Sequence, residues 1–231
     1  MRKDLKKYNK LNTYRNFSYQ WKYRYPCLSD RFNEAGTLGA YYWQDLWAAT
    51  KIIKTNPTEH YDIGSRIDGF IAHLQAANQK TILFDIRPLK IKIPNVEFIQ
   101  TDATKLENIK DESIESLSSL CALEHFGLGR YGDDVDPDGC FKAFNAIQRV
   151  VKKGGVVYIS VPIGEEHLEF NAHRIFYAQT IVDYFDKMQL LEFSVNRLDN
   201  TGICRISDLH QFDKENDNRG VRFGLFLFKK I

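Results

Sequence analysis

The stretch Val156-Val157-Tyr158-Ile159-Ser160-Val161 constrains this chain more than any other. Successive side chains of a strand point to opposite faces, so a run this apolar has no face left for water. It reads as a central strand of a parallel sheet with helices on both sides. The segments before it agree. Strands are expected at His60–Ile63, Thr81–Asp85 and Val96–Gln100, and residues 113–120 lead into a fourth. A helical period over 67–78 puts Ile67, Phe70, Ile71 and Leu74 on one face, and one over 141–151 does so for Phe144, Ile147 and Val151. Gly154-Gly155 is expected to end that second helix. An earlier helix over 43–54 stops at Asn56-Pro57. After a helix at 177–187, two late strands at 190–195 and 221–228 are joined by a polar loop of about 20 residues, a length that often carries function.

The pattern predicts an α/β fold. It is a Rossmann-like three-layer α/β/α sandwich, with a mostly parallel seven-stranded sheet, a late antiparallel strand and an N-terminal aromatic and basic extension. The extension with its helix, residues 1–55, is expected to cap the core domain, residues 56–231. Composition separates the two. Residues 1–26 hold eight Lys/Arg against Asp4, a net of +7, and the remainder carries 24 − 29 = −5. Seven aromatic residues, Tyr8, Tyr14, Phe17, Tyr19, Trp21, Tyr23 and Tyr25, share that head with Arg15 and the other cations. No apolar run approaches the roughly 20 residues of a membrane span, and no apolar stretch follows the basic N-terminus, so a cytoplasmic protein is expected. The four cysteines form no C-x-x-C pair, and no metal site is expected.

In such sheets ligands bind beyond the C-terminal ends of the strands, where strand order reverses. The first strand runs into Asp62-Ile63-Gly64-Ser65. Gly64 permits a tight turn and close approach of a ligand to the backbone, and the following helix start offers free N–H groups. The second strand ends at Asp85, 21 residues beyond Gly64, close to the spacing of about 20 at which an acid takes a ribose diol. The third is followed by Asp102-Ala103, where a carboxylate can accept from an adenine amino group. The competing reading is that all three acids cap helices. A pyrophosphate would meet Arg66, which stands where a dinucleotide fold has its second glycine. A ligand with ribose and adenine but no pyrophosphate fits better, and S-adenosylmethionine is one.

The order Asp-x-Gly-Ser, Asp85, Asp102-Ala103 and Leu123-Glu124-His125 at successive strand ends resembles the class I S-adenosylmethionine-dependent methyltransferases, as does the Lys152-Lys153-Gly154-Gly155 turn. More narrowly, Gln44-Asp45-Leu46-Trp47, the stretch from Asp62 to Phe70, Phe84-Asp85-Ile86-Arg87-Pro88-Leu89 and Glu169-Phe170-Asn171-Ala172-His173-Arg174 are similar to a bacterial domain-of-unknown-function family, number 268, from about residue 26 to about residue 187. The resemblance implies S-adenosylmethionine as cofactor, held by Asp62, Gly64, Ser65, Arg66, Asp85, Ile86, Asp102, Ala103 and Leu120. It also implies methylation of a saccharide or other small molecule, in bacterial surface-polysaccharide biosynthesis.

Methyl transfer from a sulfonium mostly needs alignment, and a hydroxyl acceptor also needs a base. His125 and His173 are the two base candidates, with Glu124 beside the first. The alternative for His125 is a hydrogen bond to a neighbouring loop. Asn171, Arg174 and Arg130 are candidate acceptor-binding residues, Arg174 being suited to an anionic group. Residues 126–134, with three glycines and two acids, read either as a flap over the acceptor or as a surface loop. Two other functions compete. Arg66 and Asp68, in place of further glycines, suit a non-catalytic binding or scaffold protein. The basic aromatic head suits single-stranded nucleic acid. No nucleic-acid partner is expected, because Leu120-Cys121-Ala122-Leu123 lacks the Pro-Pro-aromatic motif of many base-amine methylases.

Overall fold

A computed structural model describes residues 2–13, 17–33, 35–36, 38–215 and 222–231. Tyr14 and Arg15 of the basic head, and Val221 at the start of the last expected strand, lie outside the described residues. The chain divides into two units, residues 1–37 and 38–231. In the first, α1 (Arg2–Leu11) is too polar to bury any side chain. The Tyr8 hydroxyl donates to the Phe17 carbonyl at 2.8 Å, and Arg31 pairs with Asp4 at 3.4 Å.

The second unit is built on strand alternation. Helix α2 (Ala40–Thr55) belongs to it and ends where Asn56 turns left-handed at φ +47°. Then come β1 (His60–Ile63), a π-helical turn at Ile67–Ile71 continued by α3 (Ala72–Ala76), β2 (Thr81–Asp85), β3 (Val96–Gln100), β4 (Ile114–Leu120), α4 (Gly139–Val150) and β5 (Val151–Ile163). A hairpin of β6 (His167–Glu169) and β7 (His173–Ile175) precedes α5 (Ala178–Tyr184), β8 (Met188–Asn196), β9 (Ile203–Arg205) and β10 (Arg222–Lys230). The sheet order is β3-β2-β1-β4-β5-β10-β8-β9. It has eight strands rather than seven, because the long loop after β8 adds β9 as an antiparallel edge strand. β10 runs antiparallel to both β5 and β8, and β1 through β5 pair in parallel.

Alternate side chains sort into two apolar layers. Phe84, Val157, Ile159, Val161, Phe226 and Phe228 meet α4 and α5 through Phe144 and Ile181. Leu83, Tyr158, Phe223 and Leu225 meet Trp47, Ile52, Phe70 and Leu74 on the other face. Tyr158, in the middle of the apolar run, is 1% exposed, as burial on both faces requires. Gly154-Gly155 does not end α4: the helix passes at Val150 directly into β5. The two glycines lie in a bulge, where β5 advances from Val151 to Val156 while β4 advances from Ile114 to Ser116. Gly154 takes the positive φ of +78° that the bulge requires. Among the described residues, no helix is long and apolar enough to cross a membrane.

Candidate functional site

The sheet order reverses between β1 and β4, and the loops leaving the two strands touch there. Gly64, at φ +68°, follows β1, and a Cβ on it would stand 3.0 Å from the Ala122 Cβ beyond β4. A cavity of about 1240 Å³ opens at this crevice. One wall comes from the ends of β1, β2 and β3, with Gly64, Ser65, Arg66, Asp85, Ile86, Asp102 and Ala103. The facing wall holds Glu124, His125, Arg130, Tyr131 and His173, and Tyr41 of α2 and Phe223 also line the cavity.

Asp62 and Leu120 do not line this cavity. Asp62 is fully buried beneath the Gly64 turn and builds it. Its carboxylate accepts from the Ser65 N–H at 3.0 Å, the Ser65 hydroxyl at 2.7 Å and the Ser118 hydroxyl at 2.5 Å. The Ser65 oxygen in turn accepts the Leu120 N–H at 3.0 Å, which ties the turn after β1 to the end of β4. Ser118 gives its proton to Asp62, so it receives one from His60 Nε2 at 2.8 Å. His60 Nδ1 then accepts from Ser116 at 2.8 Å, and the tautomer is fixed. Burial holds His60 neutral, down at about 3, and pushes Asp62 up to about 6. Gly69 is required by a second buried acid: a Cβ there would overlap the Asp45 carboxylate, which burial pushes up to about 6.

Asp85 faces the cavity with its acceptors already engaged. Arg87 donates to it from its backbone N at 2.8 Å, from Nε at 3.0 Å and from Nη2 at 2.7 Å. The Arg87 guanidinium also lies 4.5 Å from the centre of the Tyr131 ring, so it bridges the two walls. In the sequence Arg87 stands out only as part of the Phe84–Leu89 motif. The signal available was its place two residues beyond an acid at a strand end. Asp102 caps its own turn, accepting from the Thr104 N–H at 2.9 Å and hydroxyl at 2.7 Å. Arg66 pairs with Asp68 at 3.2 Å and sits 5.1 Å from the Tyr41 ring centre.

On the facing wall, the loop over 126–134 is held by Asp133, whose carboxylate accepts from the N–H groups of Gly127 at 2.7 Å, Gly129 at 3.4 Å and Tyr131 at 3.1 Å. His125 makes a loop hydrogen bond, its Nδ1 2.6 Å from the Ala172 carbonyl. Arg130 Nη1 also lies 3.2 Å from Nδ1, but the shorter contact is to a carbonyl that only accepts, which makes Nδ1 the donor and leaves Nε2 a lone pair, 3.5 Å from Glu124 Oε1. Burial takes His125 down to about 4. His173 stands beside it, ring centres 6.2 Å apart, with Nε2 3.1 Å from Glu169 Oε2. Arg130 lines the cavity while donating to the Ala172 carbonyl at 2.9 Å. Asn171 and Arg174 do not line it. Arg174 is spent on carbonyls, those of Phe126 at 2.6 Å, Pro137 at 3.1 Å and Glu124 at 3.4 Å.

The fold is shared with solved proteins of several activities. A Burkholderia thailandensis 1,6-didemethyltoxoflavin-N1-methyltransferase, solved with S-adenosylhomocysteine, is similar at TM-score 0.57 and 12% identity, over 83% of this chain and 78% of that one. A TehB-like SAM-dependent methyltransferase from Corynebacterium glutamicum is similar at TM-score 0.52 and 14% identity, over 82% and 88%. The [4+2]-cyclase SpnF is similar at TM-score 0.56 and 12% identity, over 80% and 81%. At these identities the likeness shows the Rossmann-like methyltransferase fold and no particular reaction. No curated protein matches the sequence. A family model described as "Caenorhabditis protein of unknown function, DUF268" matches residues 79–214. The bacterial description expected from the motifs is therefore corrected, and the matched span begins and ends later than the motifs suggested. Matched over more than half of its length, the chain belongs to the DUF268 family.

Proposed function

We propose that the protein is an S-adenosylmethionine-dependent methyltransferase acting on a hydroxyl-bearing small molecule, a saccharide being the class that best suits the polar wall. One observation carries this reading. Gly64, Asp85 and Asp102, at the ends of three consecutive parallel strands, line one cavity with Glu124, His125 and His173 across the point where strand order reverses. The lining fits the cofactor: a turn kept open by Gly64, an acid for a ribose diol, Ile86 as an apolar flank for adenine, and an orphaned buried oxygen on Glu124 at the end expected to be cationic. When bound, the cofactor supplies an electrophilic methyl group whose leaving sulfur needs no proton.

The chain's own part is to hold and to deprotonate. Asp85 would hold the ribose hydroxyls, and Asp102 with Ala103 the adenine edge. Between the two histidines, His173 suits the base. Burial lowers both, but Glu169 holds the His173 Nε2, opposes that shift and leaves Nδ1 to receive a proton, whereas His125, down at about 4, takes up a proton poorly at neutral pH. Arg130 and the fixed loop over 126–134 would orient the acceptor. Surface-polysaccharide biosynthesis, which the motif resemblance suggested, remains the finer form of this proposal. Calorimetry with S-adenosylhomocysteine tests it: no heat at high micromolar ligand defeats the cofactor reading. With an acceptor in hand, His173→Asn is expected to lower kcat by roughly 100-fold or more with the cofactor affinity kept.

A second reading, a binding protein without turnover, is favoured by one observation: Arg87 occupies the acceptors of Asp85 that a ribose would use. It predicts ligand binding without methyl transfer to any fraction of small molecules offered.

A further inference from the structure

Glu124 is 2% exposed and lines the cavity, and its Oε2 is the one buried side-chain oxygen or nitrogen without a hydrogen-bond partner among the described residues. A buried carboxylate without a partner or a counter-charge is costly, so the group stays protonated until a cation arrives. The cation that acts on it is Arg130, whose charge lowers it, but burial outweighs that charge. The Arg130 guanidinium is committed to the Ala172 carbonyl and lies 5.1 Å from the Tyr131 ring centre. Arg174 is committed to three carbonyls, one of them Glu124's own. Tyr41 and Cys121, also on the cavity wall, are held neutral by burial, Tyr41 pushed up to about 12 and Cys121 well above the thiol range. His125 and His173 are both pushed down by burial. The position matters as much as the charge. Glu124 follows β4 at the crevice where Gly64 and Ala122 meet, on the wall opposite the nucleoside-binding acids.

We propose that Glu124 discriminates between the charged and the spent form of the cofactor: it ionises against a sulfonium and stays protonated against a neutral thioether. This rests on the cofactor reading above and adds a specificity role to it. Binding the sulfonium form then releases the Glu124 proton to solvent, and loss of the sulfonium charge lets the carboxylate take one back. The demethylated product loses its partner charge at the moment it forms, which favours its release.

In the free protein burial pushes Glu124 up to about 8. The sign follows from linkage. Below that value the sulfonium ligand must displace a proton, so its affinity climbs with pH and levels off above it, while the thioether's does not. If a bound sulfonium brings the group below pH 6, the ratio of S-adenosylmethionine to S-adenosylhomocysteine affinity rises by up to roughly 50-fold between pH 6 and pH 8. Taking the ratio removes the shifts of His125, His173 and Asp45 that the two ligands have in common, and Glu124→Gln isolates what Glu124 adds.

The test is calorimetry of both ligands at pH 6, 7 and 8, in buffers of low and high ionisation enthalpy. Close to one proton is expected to leave with S-adenosylmethionine at pH 7 and none with S-adenosylhomocysteine. Glu124→Gln, which keeps the shape, is expected to flatten the ratio against pH. Equal proton release by the two wild-type complexes, with a flat ratio, overturns the inference and leaves the cofactor reading standing. Failure of both ligands to bind overturns the cofactor reading and this inference with it. The wild-type proton count decides the matter even where the variant fails to fold.

Discussion

Removing Arg87 and removing Asp85 are expected to change cofactor affinity in opposite directions. A carboxylate offers about four lone-pair sites, and Arg87 fills three of those on Asp85, at 2.8, 3.0 and 2.7 Å. A ribose diol brings two donors, one more than the sites left, so the guanidinium must give way. The Arg87 side chain is 51% exposed, so its ion pair with Asp85 is screened and worth only about 0.2–1 kcal/mol. The diol's bonds to a charged acceptor are worth about 1.5–3 kcal/mol. Asp85→Ala is therefore expected to weaken S-adenosylhomocysteine binding by about 10- to 150-fold. Arg87→Ala is expected to strengthen it by up to about 5-fold, because it removes a competitor. The double variant should match Asp85→Ala alone, since without the acid nothing remains to compete for. Titration calorimetry reads all three, with circular dichroism confirming the fold. A tenfold or greater loss in Arg87→Ala would refute the competition and make Arg87 a ligand contact. Unchanged affinity in Asp85→Ala would reduce Asp85 to an anchor for Arg87.

Three further outcomes follow from the same geometry. Gly64→Ala forces a side chain onto a left-handed backbone and against Ala122 at 3.0 Å, costing about 1–2 kcal/mol of stability in urea melts and reducing ligand affinity; an unaltered melt would contradict the turn described here. His60→Ala leaves the Ser116 and Ser118 hydroxyls without their ring partner at about 1–3 kcal/mol for each group orphaned, and because the folded protein holds His60 below its ordinary value, the histidine's contribution is complete above pH 6.5 and fades as pH falls from there toward 3, so the gap in melting temperature between wild type and variant should narrow in acid. Arg174→Met removes charge-assisted bonds to the Phe126 and Pro137 carbonyls and should cost stability of about 1.5–3 kcal/mol by denaturant titration, while acceptor saturation stays within about 2-fold; the reverse pattern would return Arg174 to the acceptor site.

The sequence by itself determined which segments form the core strands, the α/β class, and the acids at the strand ends. These are written in local pattern: an unbroken apolar run needs cover on both faces, and an acid after an apolar strand lands at its C-terminal edge. That is why Gly64, Asp85 and Asp102 were found and do line one cavity. Tertiary structure alone decided what each acid is free to do. Asp62 looks like Asp85 in sequence, yet it is consumed by Ser65 and Ser118, and Ser118 lies 56 residues away. Arg174 reads as an anion binder until its carbonyl partners at Phe126 and Pro137 are seen, 48 and 37 residues distant. Gly154 and Gly155 read as a helix stop, and only their pairing opposite β4 makes them a bulge. The Glu124 oxygen is orphaned by an absence of neighbours, which no window of sequence can display. Period is a property of consecutive residues, whereas hydrogen-bond satisfaction is a property of everything the fold brings near.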